Sequence, residues 1–341
     1  MKKAAIYKID KWNPEREIIK IAAEAIVNGK LVAFPTETVY GLGVNALDES
    51  AVRGIFYAKG RPCDNPLIVH VANVESAEKI AHATPKALRL MERFWPGPLT
   101  LVMKAKDIVP KATRGGLETV AVRMPAHPVA LALIEKSGVP IAAPSANTSG
   151  RPSPTDAGVV YDDLGCCIDV ILDAGPTDVG VESTVIDVTQ EKVVLLRPGG
   201  LPVEAIEEFG EEVMLPDELG AGRAEDVRRK SPGTRYRHYA PRCRVVLWRE
   251  GDDWPVEGAE AVGYMGIKRP PLGISEKVIL FDSLEHYARG LFMAMRYLEK
   301  KGVKVIVADY PAKEGLGLAI RDRLYRASSA EFDENPHDVV K

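Results

Sequence analysis

Four short stretches concentrate residues that can do polar chemistry. In Pro35-Thr36-Glu37-Thr38-Val39-Tyr40-Gly41-Leu42-Gly43, hydroxyls at Thr36 and Thr38 stand beside glycines that would let a small polar ligand approach closely. The stretch follows an apolar run, and ligands of α/β sheets bind at the carboxyl ends of strands. An ordinary strand-to-helix turn would have the same composition. Lys59-Gly60-Arg61-Pro62, with Asn65 and His70 downstream, pairs a point charge with a planar donor fork, which suits a polyphosphate. Equally, those cations answer a helix dipole, and His70 inside an apolar run reads as a core histidine. Arg123 ends the alternating run Thr119–Arg123 and fits a carboxylate, a phosphate or a structural acid. Ala143-Pro144-Ser145-Ala146-Asn147-Thr148-Ser149-Gly150 is rich in small hydroxyl and amide side chains, so its backbone amides can approach an anion. Similar character recurs at Ser153, at Glu182-Ser183-Thr184 and at Arg197-Pro198-Gly199-Gly200.

The elements between these stretches would bring them together. Ile18, Ile19, Ala22, Ala23, Ile26 and Val27 fall on one face of a helix, with Asn13 as cap, Pro14 in the first turn and Gly29 as stop. Leu31–Phe34 then reads as a buried strand halted by Pro35. Strands are predicted over 67–71, 99–103, 119–122, 139–142, 170–172, 185–188 and 193–196. Helices are predicted over 49–57, 85–94 and 128–136. The runs at Val185 and Val193 sit close enough for a hairpin, which makes the sheet mixed. A second alternating unit has strands at 244–248, 261–264, 278–281 and 303–308 and helices at 284–301 and 318–327. The fold class is therefore α/β. An open twisted mixed sheet with helices spans 1–210, a linker spans 211–242, and a small doubly wound Rossmann-like domain spans 243–341.

The linker holds Ser231-Pro232-Gly233-Thr234-Arg235-Tyr236-Arg237-His238-Tyr239 and, over 223–244, eight Lys or Arg against two acids. Such a segment can fold over a nucleotide, touch RNA or serve as a plain tether. The whole chain is less polarised. Its 341 residues carry a net charge of −3, so any polyanion site must be a local patch. None of the four cysteines sits in a CxxC pair, which argues against zinc and for a reduced, cytoplasmic protein. No run has the length of a membrane span.

In this order, P-T-E-T-V-Y-G-L-G, K-G-R-P with N-P-L and H, F-W-P-G-P-L-T, R-M-P, A-P-S-A-N-T-S-G, E-S-T-V-I-D and R-P-G-G resemble the YrdC-type threonylcarbamoyl-AMP synthases over about residues 15–205. The linker S-P-G-T-R-Y-R-H-Y-A-P and the later G-L-G-L-A-I-R-D-R-L are similar to the longer, two-domain members. The resemblance implies a YrdC-like catalytic domain and a reaction among L-threonine, bicarbonate or CO2, and ATP. Threonine's amine captures carbon dioxide, and the carbamate oxygen attacks the α-phosphate of ATP. Pyrophosphate leaves threonylcarbamoyl-adenylate behind. A threonylcarbamoyl transferase of the KEOPS or TsaD-like kind would then pass the group to an adenosine beside a tRNA anticodon.

Carried over by position, the resemblance implies threonine binding by Thr36, Thr38, His70, Arg123, Ala143 and Ser183, with Arg123 on the carboxylate. It implies ATP binding by Lys59, Arg61, Asn65, Thr119, Ser145, Asn147, Ser153, Arg197, Tyr236 and His238. Lys59 and Arg61 would face the phosphates as the catalytic cations. Magnesium is expected on the phosphates, held partly by ATP itself and by no protein side chain. Two other readings compete: an RNA-binding module without catalysis, which would contact tRNA directly, and a carbamoyl transfer enzyme of the hydrogenase-maturation type.

Overall fold

The computed structural model describes residues 3–215, 230, 238–256, 261–271 and 277–328. Twelve strands form the first sheet. They are β1 Ala5–Lys8, β2 Val32–Phe34, β3 Gly41–Asn45, β4 Ile68–His70, β5 Ala81–His82 and β6 Leu99–Ala105. Then follow β7 Thr119–Arg123, β8 Ile141–Ala142, β9 Val170–Asp173, β10 Thr184–Asp187, β11 Val193–Arg197 and β12 Val213–Met214. The order is β1-β9-β2-β3-β8-β4-β7-β6-β10-β11-β12, with β5 beside β6. Pairings such as β4 with β7 and β6 with β10 are parallel, while β2 with β3 and β10 with β11 are antiparallel. The sheet is mixed and carries the expected hairpin.

Strand alternation divides the core between the sheet's two faces. On β2, Val32 and Phe34 join a cluster with Ile19, Ala22 and Ile26 of α1 (Arg16–Val27) and Leu133 of a later helix. Ala33 points the other way, into a larger cluster with Val52 and Ile55. The first helix starts later than the sequence suggests. Asp10 accepts from the Trp12 and Asn13 amides at 2.8 and 2.7 Å, so Asn13 belongs to an Asx turn and caps nothing. The end matches, with Asn28 as C-cap and Gly29 at φ +70°. Other first-unit helices are α2 Glu49–Lys59, α3 Val74–Ile80, α4 Pro85–Phe94, α5 Pro128–Ser137, α6 Ala157–Leu164 and α7 Val203–Glu208.

A strand replaces the expected turn after Phe34. The chain reverses, and Gly41–Asn45 runs back antiparallel to β2. A Cβ on Gly43 would lie 2.7 Å from both Phe34 Cε1 and Ile141 Cγ2. That glycine serves close packing between strands, not ligand approach.

The second sheet contains β13 Arg244–Trp248, β14 Val262–Gly266, β15 Val278–Leu280 and β16 Val305–Asp309, all parallel, in the order β13-β16-β14-β15. Helices α8 (Leu284–Lys300) and α9 (Gly317–Ala327) accompany it. Its apolar core takes in Val39, Val181 and Tyr239 as well. Ion pairs also cross between the units, Arg151 to Glu299 at 2.9 Å and Arg296 to Asp163 at 2.6 Å. No helix among the described residues is long and apolar enough to cross a membrane.

Candidate functional site: a cation-lined cavity

Loops at the ends of β2, β4, β7, β8 and β11, with the 182–183 segment just before β10, converge on one cavity. It is lined by Thr36, Thr38, Arg61, His70, Arg123, Ala143, Ser145, Ser183, Arg197 and His238 among others. With its mouth it encloses about 580 Å³. That lies in the range of small-molecule sites.

At one corner a chain of polar bonds runs inward from Arg123, which is buried. Arg123 Nη1 donates to Thr38 Oγ1 at 2.9 Å, and Nε donates to the Gly97 carbonyl at 3.1 Å. Thr36 Oγ1 lies 2.8 Å from Thr38 Oγ1 and donates to the Val39 carbonyl at 2.7 Å. A hydroxyl has a single proton, so Thr38 must donate to Thr36. Thr38 is thereby fixed as an acceptor for Arg123. Arg123 Nη2 also stands 2.6 Å from the Glu37 carboxylate, although the pair lacks hydrogen-bond alignment. The structural acid weighed for Arg123 is present, and the guanidinium still faces the cavity. Beside it His70 is held neutral: burial first, then the Arg123 charge, pushes its pKa down to about 3.

The same lining carries Arg61, Ser145 and Arg197, with His238 feeling the charges of both arginines. Arg61 Nη2 donates to the Pro66 carbonyl at 3.3 Å. Arg197 Nη2 donates to the Ser183 carbonyl at 2.9 Å, and Ser183 Oγ lies 2.8 Å from Thr100 Oγ1. His238 is buried, and its Nε2 has no hydrogen-bond partner among the described residues. Burial, then the Arg61, Arg326, Lys59 and Arg197 charges, pushes its pKa well down.

Lys59 does not face the cavity. It is buried, and its Nζ donates to the carbonyls of Ser145, at 2.5 Å, and Asn147. Two backbone acceptors draw it under the loop, so it fastens the Ser145 segment from behind. Its pKa is pushed well below the usual lysine value by burial and then by Arg61. Asn147 is a loop-former too, accepting from Ser145 Oγ at 2.5 Å and donating to the Thr148 and Arg151 carbonyls at 2.8 and 2.9 Å. Ser153 donates to Glu182, and Asn65 is buried next to the lining residue Pro66. Thr119 pairs with Lys104 at the amino end of β7, away from Arg123, and is not among the lining residues. Tyr236 lies outside the described residues.

Three residues that the sequence motifs contain carry no assigned role there: Glu37, Glu182 and Tyr239. The acids sit inside the quoted motifs, P-T-E-T and E-S-T. An acid directly beside hydroxyl side chains is the available signal. Tyr239 lines the cavity with φ +65° and stacks on Phe292 of α8 at 5.3 Å.

Three arginines, several hydroxyls and one acid in a single lining suit a molecule with anionic groups. Comparison with known proteins points the same way. Residues 24–199 match the family model described as "Telomere recombination", and residues 201–329 match "Threonylcarbamoyl-AMP synthase, C-terminal domain". A threonylcarbamoyl-AMP synthase of Pyrococcus abyssi is 50% identical, covering 94% of this chain and 95% of its own length. One from Bacillus subtilis is 44% identical over 90% and 92%. The crystal structure of P. abyssi Sua5 complexed with L-threonine superposes with a TM-score of 0.86 at 48% identity, covering 95% of this chain and 98% of that one. The chain belongs to the threonylcarbamoyl-AMP synthase family.

Proposed function

We propose that this chain condenses L-threonine, bicarbonate or CO2, and ATP to threonylcarbamoyl-adenylate and pyrophosphate within the cavity described above. The observation that carries the reading is the shared hollow, whose single lining brings together Arg123, Thr38, His70, Ser183, Arg61, Ser145 and Arg197. In the proposal the threonine carboxylate meets Arg123 and the triphosphate meets Arg61 and Arg197.

Each step has a physical rationale. Threonine's amine must be neutral to capture carbon dioxide, and nearby guanidiniums disfavour the ammonium form. Neutral His70 can hydrogen-bond the substrate without adding charge. The carbamate oxygen then attacks the α-phosphate and pyrophosphate leaves. Such a displacement asks for positioning and charge stabilisation and needs no covalent nucleophile. Arg61 and Arg197 supply fixed positive charge where negative charge is redistributed.

Magnesium would arrive on the nucleotide, where it neutralises phosphate charge. The described residues contain no group of three His, Cys, Asp or Glu side chains able to hold a metal. Glu182, the acid in the lining, is engaged by Ser153 and Arg323.

Residues 211–242 would close over the bound nucleotide, with the end of the segment anchored through Tyr239 on Phe292. The product, a reactive mixed anhydride, requires a transferase that hands the group to a tRNA adenosine. Any direct tRNA contact would fall on the basic linker. A reducing, cytosolic setting accords with four cysteines present as free thiols.

The test is to incubate the purified chain with ATP, labelled threonine and bicarbonate. The adenylate should form only with all three substrates. Pyrophosphate release that ignores threonine would refute the reading.

A further inference from the structure

We propose that Arg323, contributed by the second domain, is a positioning residue for the cavity of the first; the inference rests on reading that cavity as the synthase site. Arg323 lies on α9 and is fully buried. Its Nε donates to the Glu182 carboxylate at 2.7 Å and its Nη1 to the Pro198 carbonyl at 2.9 Å. The same guanidinium stands 5.2 Å from the centre of the Tyr239 ring. Glu182, Tyr239 and Arg197, the neighbour of Pro198, all line the cavity. One side chain thus ties together three separate segments of the wall.

Those segments cannot settle independently. The other oxygen of Glu182 accepts from Ser153 Oγ at 2.5 Å, and the Gly200 amide donates to the Glu182 carbonyl at 2.9 Å. A Cβ on Gly199 would come within 2.2 Å of the Ser183 carbonyl carbon, so the 197–200 loop lies flat on the 182–184 backbone. Arg197 clamps the Ser183 carbonyl from within. Any shift of Glu182 therefore carries Ser153, Ser183 and Arg197 with it, residues assigned to both substrates.

Charge reinforces the geometry. An uncompensated carboxylate in this wall would repel a triphosphate. Burial works to raise the Glu182 pKa, but the Arg323 and Arg197 charges and the Ser153 hydroxyl outweigh it and keep the group ionised. Its charge is cancelled largely from outside the cavity. Asp322 holds Arg323 in turn at 2.6 Å and is itself bound by Arg326 at 2.9 Å.

A buried ion pair can also be mere glue between domains. Here Arg151–Glu299 and Arg296–Asp163 already supply glue elsewhere on the contact. The experiment therefore compares Arg323→Lys with Glu299→Gln in the full chain. Lysine keeps the charge but cannot span Glu182, Pro198 and Tyr239. The readouts are the KM for ATP and kcat from pyrophosphate release, the Kd for L-threonine by calorimetry, and thermal melting. Arg323→Lys should raise the ATP KM and the threonine Kd by at least about tenfold while kcat falls less than about threefold, the pattern of lost ground-state positioning. Glu299→Gln should lower melting without that change in constants.

The proposal is overturned if Arg323→Lys keeps its constants within about twofold of the natural chain, whatever its melting. It is overturned equally if Glu299→Gln raises KM and Kd as much, since docking in general would then set the geometry. Should Arg323→Lys not fold, Asp322→Asn loosens the same guanidinium; KM and Kd must still rise, and unchanged constants overturn the idea. A natural chain that binds threonine but makes no adenylate refutes the parent reading and takes this inference with it.

Discussion

Arg61→Met separates function from stability most sharply. Methionine keeps the apolar stem and removes the charge. In the free protein the guanidinium makes a long 3.3 Å bond to the Pro66 carbonyl and sits among like charges, since it helps depress both Lys59 and His238. Losing one such bond costs about 1 kcal/mol, and relief of the repulsion offsets part of it. The Pro66 bond itself therefore contributes only about 1–2 kcal/mol to stability, a melting shift of a few degrees for a chain this large. In the proposed complex with ATP, the same fork would make two charge-assisted bonds to phosphate oxygens. At about 1.5–3 kcal/mol each, their loss lowers kcat/KM for ATP by roughly 10²–10⁴-fold. Pyrophosphate release at varied ATP, beside a melting scan, measures both quantities. A variant that melts much lower yet turns over ATP with nearly natural constants would make Arg61 a structural residue and refute the assignment.

Thr38→Val removes the acceptor fixed for Arg123 Nη1 at 2.9 Å. It should weaken L-threonine binding by about 1.5–3 kcal/mol, measured by calorimetry, and leave nucleotide binding nearly unchanged. Gly199→Ala would drive a methyl to 2.2 Å from the Ser183 carbonyl carbon. Melting should drop by several degrees, and threonine and ATP affinities should fall together as Ser183 and Arg197 are displaced. Burial holds His70 at about 3 and His127 at about 4, both below the ordinary 6.5. Both stay neutral in the fold and protonate more readily when unfolded. Stability is therefore full above about pH 6.5 and falls on acidification by about 1.4 kcal/mol per pH unit for each histidine, down to their folded values. Urea titrations at pH 7 and 5 should record the loss, and His70→Gln should flatten the slope. An unchanged slope would mean that His70 is already hydrated or paired.

Much of the site was legible because it is built from local units. Arg61, Ser145 and Arg197 each follow a segment whose period identified it, and the loops could be placed together because ligands gather at strand ends. Elements with long regular runs, such as β13 and α4, fall where their apolar spacing puts them. Short strands were harder to read. Gly41-Leu42-Gly43 has turn composition, and only the rings and methyls of Phe34 and Ile141 explain why glycine belongs in a strand there. The placement of Lys59 is hidden from the sequence for a related reason. A lysine two residues before an arginine looks like half of a clamp, and nothing local reveals carbonyls 86 and 88 residues away that capture it. Glu182 and Arg323 are 141 residues apart, and each looks like an ordinary surface charge until the domains are docked.

One hollow should hold an amino acid and a triphosphate side by side, and a crystal structure of the chain with L-threonine and a non-hydrolysable ATP analogue would show whether it does. The threonine carboxylate should lie within hydrogen-bond reach of Arg123, and the phosphates should lie against Arg61 and Arg197. Density for either ligand on a separate surface, with the cavity left to solvent, would mean that the two substrates do not share this hollow.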